Sequence, residues 1–173
     1  MKKLIIVLIL SVSSISLCAQ QTNIPYYTQP GLHKFEGEWE YNDGKNIFKI
    51  ILKMEKTYIK GSAPVYIDFL SGYHLYIKDQ TVLQNSVGKD KTITSGGYID
   101  RNNPNKIRFL FVDMGSHSRA GGNMERGTLE LLSDTTAKWT VRPSEGVRAT
   151  FPGMPEEDYN IYVPKYLILR KVK

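Results

Sequence analysis

Histidine is the residue type most often used in catalysis and metal binding, and this chain has only three: His33, His74 and His117. No two of them stand at the short spacing at which paired histidines ligate a metal. Asp113 and His117 lie on either side of Gly115 and would need a distant third ligand, so we interpret them as solvated loop residues. The sequence predicts no metal site and no cofactor.

Nucleophiles and carboxylate pairs give no stronger indication of catalysis. Ser116 and Ser118 flank His117, but neighbours on one loop seldom present a nucleophile to its base, and the Gly-x-Ser-x-Gly turn is absent. Glu38 and Glu40 are two residues apart on a predicted strand and share a face, as the acid and base of a glycosidase might. We interpret them as outward charges and predict that the protein is not an enzyme.

Aromatic side chains are the main functional feature of the sequence, with eleven tyrosines, six phenylalanines and two tryptophans. Seven of them are predicted to point inward and to be able to line a cavity for an apolar or sugar-ring ligand. They are Trp39, Tyr41, Phe48, Tyr73, Phe109, Phe111 and Trp139. The same rings can also fill a small barrel completely, because eight strands leave an interior only just wide enough for side chains.

The elements that position these rings are strands. Apolar and polar residues alternate repeatedly between Gly, Asn, Asp and Pro punctuation, and no helical pattern persists over three turns. Predicted strands cover 37–41, 46–54, 66–79 with a bulge or bend at 71–72, 81–86, 91–100, 106–113, 127–132, 135–142 and 166–172. Loops are predicted at 115–123 and, with four prolines, at 143–164. The pattern predicts an all-β, single antiparallel up-and-down barrel of about eight strands, with a β-sandwich as the alternative.

The first residues carry an export signal. Residues 1–19 combine two lysines, a short apolar run and small residues, which is the order of a signal peptide cleaved after Ala19. The alternative is lipid attachment at Cys18, although Leu17 precedes it where that signal has a small residue. We expect an exported protein in the periplasm, at the cell surface or outside the cell, without a transmembrane segment after cleavage.

The remaining chain has room for one domain. Residues 20–34 are predicted to be a flexible N-terminal segment and residues 35–173 the β-barrel domain. The 173-residue chain has 23 basic and 17 acidic residues, a formal charge of +6. These charges are spread along the chain rather than gathered in a block, so we predict no nucleic-acid partner.

Two resemblances follow from short motifs. Gly37-x-Trp39 and Arg170 resemble the lipocalin-like pattern, which implies that Trp39 plugs one end of the barrel and that Arg170 covers it. Over nearly the whole mature chain, the sequence resembles a family of short exported bacterial β-proteins, domain of unknown function 6705. The segments that carry this resemblance are 37–53, 66–73 and 164–170. It implies export and a β fold, and no activity.

Two functional hypotheses remain open from the sequence. In the first, a small hydrophobic ligand binds inside a lipocalin-like barrel against the seven aromatic residues. In the second, the core is filled and the protein is an envelope or secreted interaction module, with anchors for a protein partner at Phe151, Met154, Tyr159 and Tyr162. Whether the barrel is hollow decides between them.

Overall fold

The computed structural model describes residues 24–95, 99–100, 102–115, 123–143 and 160–173. The predicted signal peptide and most of the two predicted loops lie outside these residues. Eleven strands and one 3-10 helix, Pro30–Phe35, are present in the described chain. The strands are β1 Tyr26–Tyr27, β2 Gly37–Asn42, β3 Asn46–Ile59, β4 Val65–Lys78, β5 Thr81–Asn85, β6 Ile93–Thr94, β7 Ile99–Asp100, β8 Asn103–Asp113, β9 Asn123–Ser133, β10 Thr136–Arg142 and β11 Tyr166–Lys171.

Eight of these strands close into a barrel. The ring runs β4-β3-β2-β11-β10-β9-β8-β6, and β6 pairs back onto β4. Every pairing in the ring is antiparallel. Barrel neighbours follow one another along the chain, apart from the short β5 and β7, which add to β4 and β8. The predicted up-and-down barrel of about eight strands is confirmed, and closure leaves the β-sandwich alternative without support.

The first hairpin forms at the predicted turn. Asp43 accepts hydrogen bonds from the backbone N–H groups of Lys45 and Asn46, and Gly44 has a positive φ of 88°. Only glycine adopts such a φ without strain, so the Asn-Asp-Gly sequence favours this turn.

The β3–β4 hairpin is longer and more regular than the sequence predicts. The two strands pair continuously from Asn46–Lys78 to Ile59–Val65, so the predicted bulge at 71–72 is wrong. Gly72 is needed for close packing instead, because a Cβ there would lie 2.1 Å from the Ile51 carbonyl oxygen. In the range 91–100, where short strand structure is predicted, the described residues contain two strands of two residues each, β6 and β7.

The segment predicted to be flexible contains ordered structure. β1 adds to β4 in parallel, with Tyr26 opposite Tyr66. The 3-10 helix follows and buries Leu32 and Phe35 completely. Helix and core are joined by a hydrogen bond from the Trp39 indole N–H to the Phe35 carbonyl oxygen, 3.0 Å long. These residues therefore close one end of the barrel.

The core is continuous through the barrel. Alternate residues of each strand are buried, as along β8 from Ile107 through Phe109 to Phe111. On β9, Gly127 lies directly opposite Phe109, and a Cβ at Gly127 would lie 2.0 Å from the Phe109 ring. Because Gly127 has no side chain, the Phe109 ring can occupy this position in the core.

We predict that Gly127→Ala destabilises the fold, because the added methyl group must displace the Phe109 ring. The free energy of unfolding, measured by urea denaturation, is expected to fall by about 1–3 kcal/mol, the usual cost of overpacking a core. Gly61→Ala is the matched control, since a Cβ there meets nothing within 4 Å. Equal stability of the two variants would contradict this packing.

Candidate functional site

The interior of the barrel is occupied by aromatic rings in mutual contact. Trp139 stacks on Phe109 with ring centroids 4.8 Å apart and meets Phe111 edge-on at 5.5 Å. The Phe48 ring centre lies 5.1 Å from that of Trp139. Trp139, Phe48 and Phe111 have no exposed surface, and Phe109 is 5% exposed. Three of the seven predicted ligand-binding residues therefore pack against a fourth, Trp139.

The other predicted ligand residues lie apart from this cluster. Trp39 is fully buried at the end closed by the 3-10 helix, and Tyr41 is half-buried with its hydroxyl donating to Asp43. Tyr73 is on the outer face, because it pairs with Ile51 between the inward positions of β3 and β4. The interpretation of Tyr73 as an inner residue is wrong, and His74 points inward instead.

Of the two residues predicted to close one end of the barrel, Trp39 lies where it is predicted and Arg170 does not. Trp39 is buried at the end of the barrel, as a plug would be. Along β11, Leu169 is buried and the neighbouring Arg170 is exposed, so Arg170 points outward and does not cover Trp39. Lys171 has the inward alternation, and its Nζ lies 5.1 Å from the centre of the Trp39 ring. The cation at this position is therefore one residue later than predicted.

A polar network is buried beside the aromatic cluster. His74 is fully buried, with Nε2 2.8 Å from the Gln84 amide oxygen and Nδ1 2.7 Å from the Thr92 hydroxyl. The Gln84 amide nitrogen donates to Asp113 at 2.6 Å, and the Met114 backbone N–H donates to the Gln84 oxygen. Desolvation lowers the pKa of His74 and so favours the neutral imidazole, which then carries its proton on Nε2, donates to the Gln84 oxygen and accepts the Thr92 hydroxyl at Nδ1.

Asp113 is the carboxylate end of this network, so its interpretation as a solvated loop residue is wrong. It has no exposed surface, and it accepts hydrogen bonds from the Gln84 side chain and from the backbone N–H groups of Gly115 and Tyr162, the last at 2.6 Å. Three donors compensate for the loss of water around a buried carboxylate. The network therefore joins β4, β5 and β8 to the segment that leads into β11.

Sequence reasoning missed this network, although the pattern contains a signal for it. Asp113 continues the inward alternation of Ile107, Phe109 and Phe111, and His74 takes the inward position between Gly72 and Tyr76. A polar residue in an inward position must find partners inside the protein. Residues of this kind, taken together, would have predicted a buried polar cluster.

The residues considered for catalysis do not assemble a reactive site in the described chain. His33 is exposed and its Nδ1 lies 3.1 Å from Glu36. Glu38 and Glu40 both face Lys49, whose Nζ is 3.8 and 3.1 Å from their carboxylates, so they form an outward ion-pair cluster. His117, Ser116 and Ser118 lie outside the described residues. Within the described part of the chain, no group of three His, Cys, Asp or Glu side chains could hold a metal.

The β3–β4 hairpin extends beyond the barrel wall. β2 pairs with β3 only as far as Leu52, and β6 pairs with β4 only at Ser71 and Gly72. We call residues 53–70 together with β1 the arm. Its exposed aromatic and aliphatic side chains are Tyr26, Tyr27, Tyr58 and Ile59, with exposed fractions between 42% and 65%.

One face of the arm is held together around a lysine. The Lys56 ammonium lies 4.3 Å from the Tyr26 ring centre and 4.4 Å from that of Tyr66. Tyr58 lies 5.2 Å from Tyr66, measured between ring centres. Beneath them, the Tyr26 hydroxyl donates to the buried Asp68, and this hydrogen bond lowers the pKa of the Asp68 carboxyl below its usual value. The tyrosine rings are therefore held in place on the surface.

A groove of about 1130 Å³ lies on the outer face of β8, β9 and β10. Five basic side chains line it: Lys106, Arg108, Arg126, Lys138 and Arg142. Among the described residues, two acidic side chains line it, Asp100 and Glu130. The groove therefore carries an excess of positive charge, although the basic residues are dispersed along the sequence.

Comparison with known proteins identifies a family without an assigned activity. The model of a family of unknown function, DUF6705, matches residues 1–172. The comparison with curated proteins finds no match, and neither does the comparison with solved structures. Among the described residues, no helix has the length and apolar character needed to cross a membrane.

Burial of His74 predicts a pH-dependent stability. Desolvation lowers the pKa of His74 below its usual value of about 6.5. Below that pH the unfolded chain binds a proton that the folded chain resists, so the free energy of unfolding should fall by about 1 kcal/mol per pH unit as the pH decreases from 6.5 to the folded pKa. Urea denaturation between pH 7.5 and 5 measures this slope.

His74→Gln separates this effect from the titration of other groups. The variant should be less stable at neutral pH, because it disturbs the buried network, but should lose most of the slope. His33→Gln, at an exposed histidine, should keep it. A slope that persists in His74→Gln and disappears in His33→Gln would contradict the assignment.

Proposed function

The chain belongs to the family of unknown function DUF6705, and we propose that it is an exported binding module with a filled barrel, which contacts a protein partner through the arm. The observation that carries this proposal is the packing of Trp139 against three other rings in the centre of the barrel. Export rests on the signal-peptide pattern of residues 1–19.

The contacts between the aromatic rings argue against a ligand inside the barrel. Centroid distances of 4.8–5.5 Å are those of aromatic pairs in direct contact. The interior next to Phe111 is occupied by the imidazole of His74, whose ring centre is 4.9 Å away. A hydrophobic ligand would have to separate these rings and approach a hydrogen-bonded polar network, which disfavours entry. If the core is filled, binding takes place on the surface of the protein.

The arm has the composition of a protein-contact surface. Tyrosine is enriched among the residues that dominate binding energy at interfaces, because it offers a large rigid ring and a polar tip. Tyr27 is 65% exposed on one face of the arm, and Tyr58 is 45% exposed on the other. Of the anchors predicted from the sequence, Phe151, Met154 and Tyr159 lie outside the described residues, and Tyr162 is 43% exposed.

The edge of the arm favours contact through side chains rather than through strand addition. Beyond Leu52, β3 has no partner strand on its β2 side among the described residues. This edge carries Lys53, Glu55 and Lys56, and charged side chains on an exposed edge discourage pairing with another strand. The Met54 N–H already donates to the Glu36 carboxylate at 2.7 Å. The tyrosines are therefore the more accessible means of recognition.

We predict that the barrel interior does not take up an apolar environment-sensitive dye. Titration of the folded protein should leave the emission of Trp139 unchanged, because its ring has no free face. Dye bound at the arm would be lost in Tyr27→Ser and retained in Trp139→Phe. Saturable binding that is lost in Trp139→Phe, while the variant remains folded, would contradict the filled core.

We predict that a photo-crosslinking amino acid in place of Tyr27 gives a discrete protein adduct in the producing cells. A second substitution, Ile59→Ser, should reduce the adduct several-fold, because Ile59 is exposed on the same face of the arm as Tyr27 and loss of an apolar anchor at an interface costs about 1–2 kcal/mol. The matched control carries the crosslinker at Val87, which is 39% exposed and outside the arm. Equal adducts from both sites, or an adduct insensitive to Ile59→Ser, would contradict an interface at the arm.

A further inference from the structure

We propose that the groove on the outer face of β8, β9 and β10 is a binding site for an anionic polysaccharide. This function is separate from contact through the arm. The inference rests on an arginine pair, on the polar side chains around it and on the size of the groove.

The arginine pair is placed by strand register. Arg126 on β9 and Arg142 on β10 are directly opposite each other, and both are exposed. Directly opposite residues in an antiparallel pair have Cβ atoms about 5 Å apart, and like charges there are unfavourable. Neither arginine side chain has an ion pair or a hydrogen bond with another described residue. Two guanidinium groups side by side on one face of a sheet, with no carboxylate partner among the described residues, form a geometry suited to an anion.

Other basic residues of the groove have acidic neighbours. Arg108 contacts Asp100, with 3.1 Å between Nη2 and Oδ2. Glu130 lies directly opposite Lys106 on one side and Lys138 on the other. The charge excess is therefore concentrated at the arginine pair, which is the part of the groove best suited to a ligand carboxylate or sulfate.

Neutral polar side chains continue from the arginine pair. Thr128 and Thr140 are directly opposite each other in the next inter-strand row, and Tyr166 lies opposite Thr140 on β11. Tyr166 is 64% exposed at the groove, where its ring offers a face for stacking on a sugar. Thr140 is buried, at 9% exposed, whereas Thr128 is half-buried, so the Thr128 hydroxyl and the Tyr166 ring are the groups beside the cationic pair that fit a ligand with both acid groups and hydroxyls.

The acidic side chains favour a polysaccharide over a nucleic acid or an acidic peptide. Asp100 and Glu130 would repel a closely spaced run of phosphates or carboxylates, but they can accept hydrogen bonds from sugar hydroxyls. The groove volume of about 1130 Å³ exceeds the ~300–1,000 Å³ of most small-molecule sites. An oligosaccharide fits this space better than a single anion.

The test uses calorimetric titration of the folded protein with a hexamer of galacturonic acid at low and at physiological salt. We expect saturable binding that weakens with salt, and no binding of a neutral hexamer of glucose. The double variant Arg126→Thr/Arg142→Thr should bind at least ~10-fold more weakly, because charge-assisted hydrogen bonds are lost. Lys45→Thr/Lys89→Thr is the control, since it removes the same charge at exposed positions outside the groove.

Several outcomes would overturn the proposal. Absence of binding by the acidic hexamer would do so, and so would an equal loss of affinity in the two double variants. Tighter binding of a hexaglutamate peptide or of a single-stranded DNA hexamer would assign the groove to another class of partner. The arm variant Ile59→Ser should bind the acidic hexamer as the unmodified protein does, so failure here is distinct from failure of the arm interface.

A second readout needs no ligand. Arg142→Thr relieves the repulsion from Arg126, so its melting temperature at low salt should equal or exceed that of the unmodified protein. The difference should shrink as salt is added. A large loss of stability in this variant would show that Arg142 has a structural role, and would overturn its assignment to ligand binding.

Discussion

Trp139 is the residue on which the packing of the barrel depends. Its ring touches Phe48 from β3 and both Phe109 and Phe111 from β8, so one side chain on β10 fills the space between distant strands. Its indole N–H donates to the Pro164 carbonyl oxygen at 3.1 Å, just before β11 begins. Tryptophan is large and flat, and its indole N–H can donate to a carbonyl oxygen inside the protein, so it serves both contacts. The packing of the aromatic rings and the entry into the last strand therefore depend on the same side chain.

The buried polar network complements this apolar cluster. His74 belongs to both, because its ring packs against Phe111 while its nitrogens bond Thr92 and Gln84. Apolar packing tolerates small rotations of the rings, whereas the hydrogen bonds of a buried Asp113 do not. The network therefore specifies how the ends of β5 and β8 meet the segment before β11, where short strands alone would define the register weakly.

The sequence predicted the architecture well because it depends on local patterns. Alternation gave the strands, and Asn42-Asp43-Gly44 gave a turn that the structure contains. It was less informative where the outcome depends on contacts between distant residues. The sequence predicts a bulge or bend at Ser71-Gly72, whereas the pairing with β3 is continuous there and Gly72 lets the Ile51 carbonyl approach. The difference between Arg170 and Lys171 is one residue of strand register, which moves a side chain to the other face of the sheet.

The candidate sites could be predicted less well, for a related reason. The inward aromatics were identified from alternation, but whether they leave a cavity depends on ring contacts that spacing does not contain. The arginine pair was not predicted, because Arg126 and Arg142 become neighbours only through the pairing of β9 with β10. Like charges placed directly opposite lower stability, and nothing in the barrel core requires them. No described carboxylate pairs with either arginine, so binding of an anion would remove this repulsion, and this is the physical reason to look for function on the outer face of the barrel.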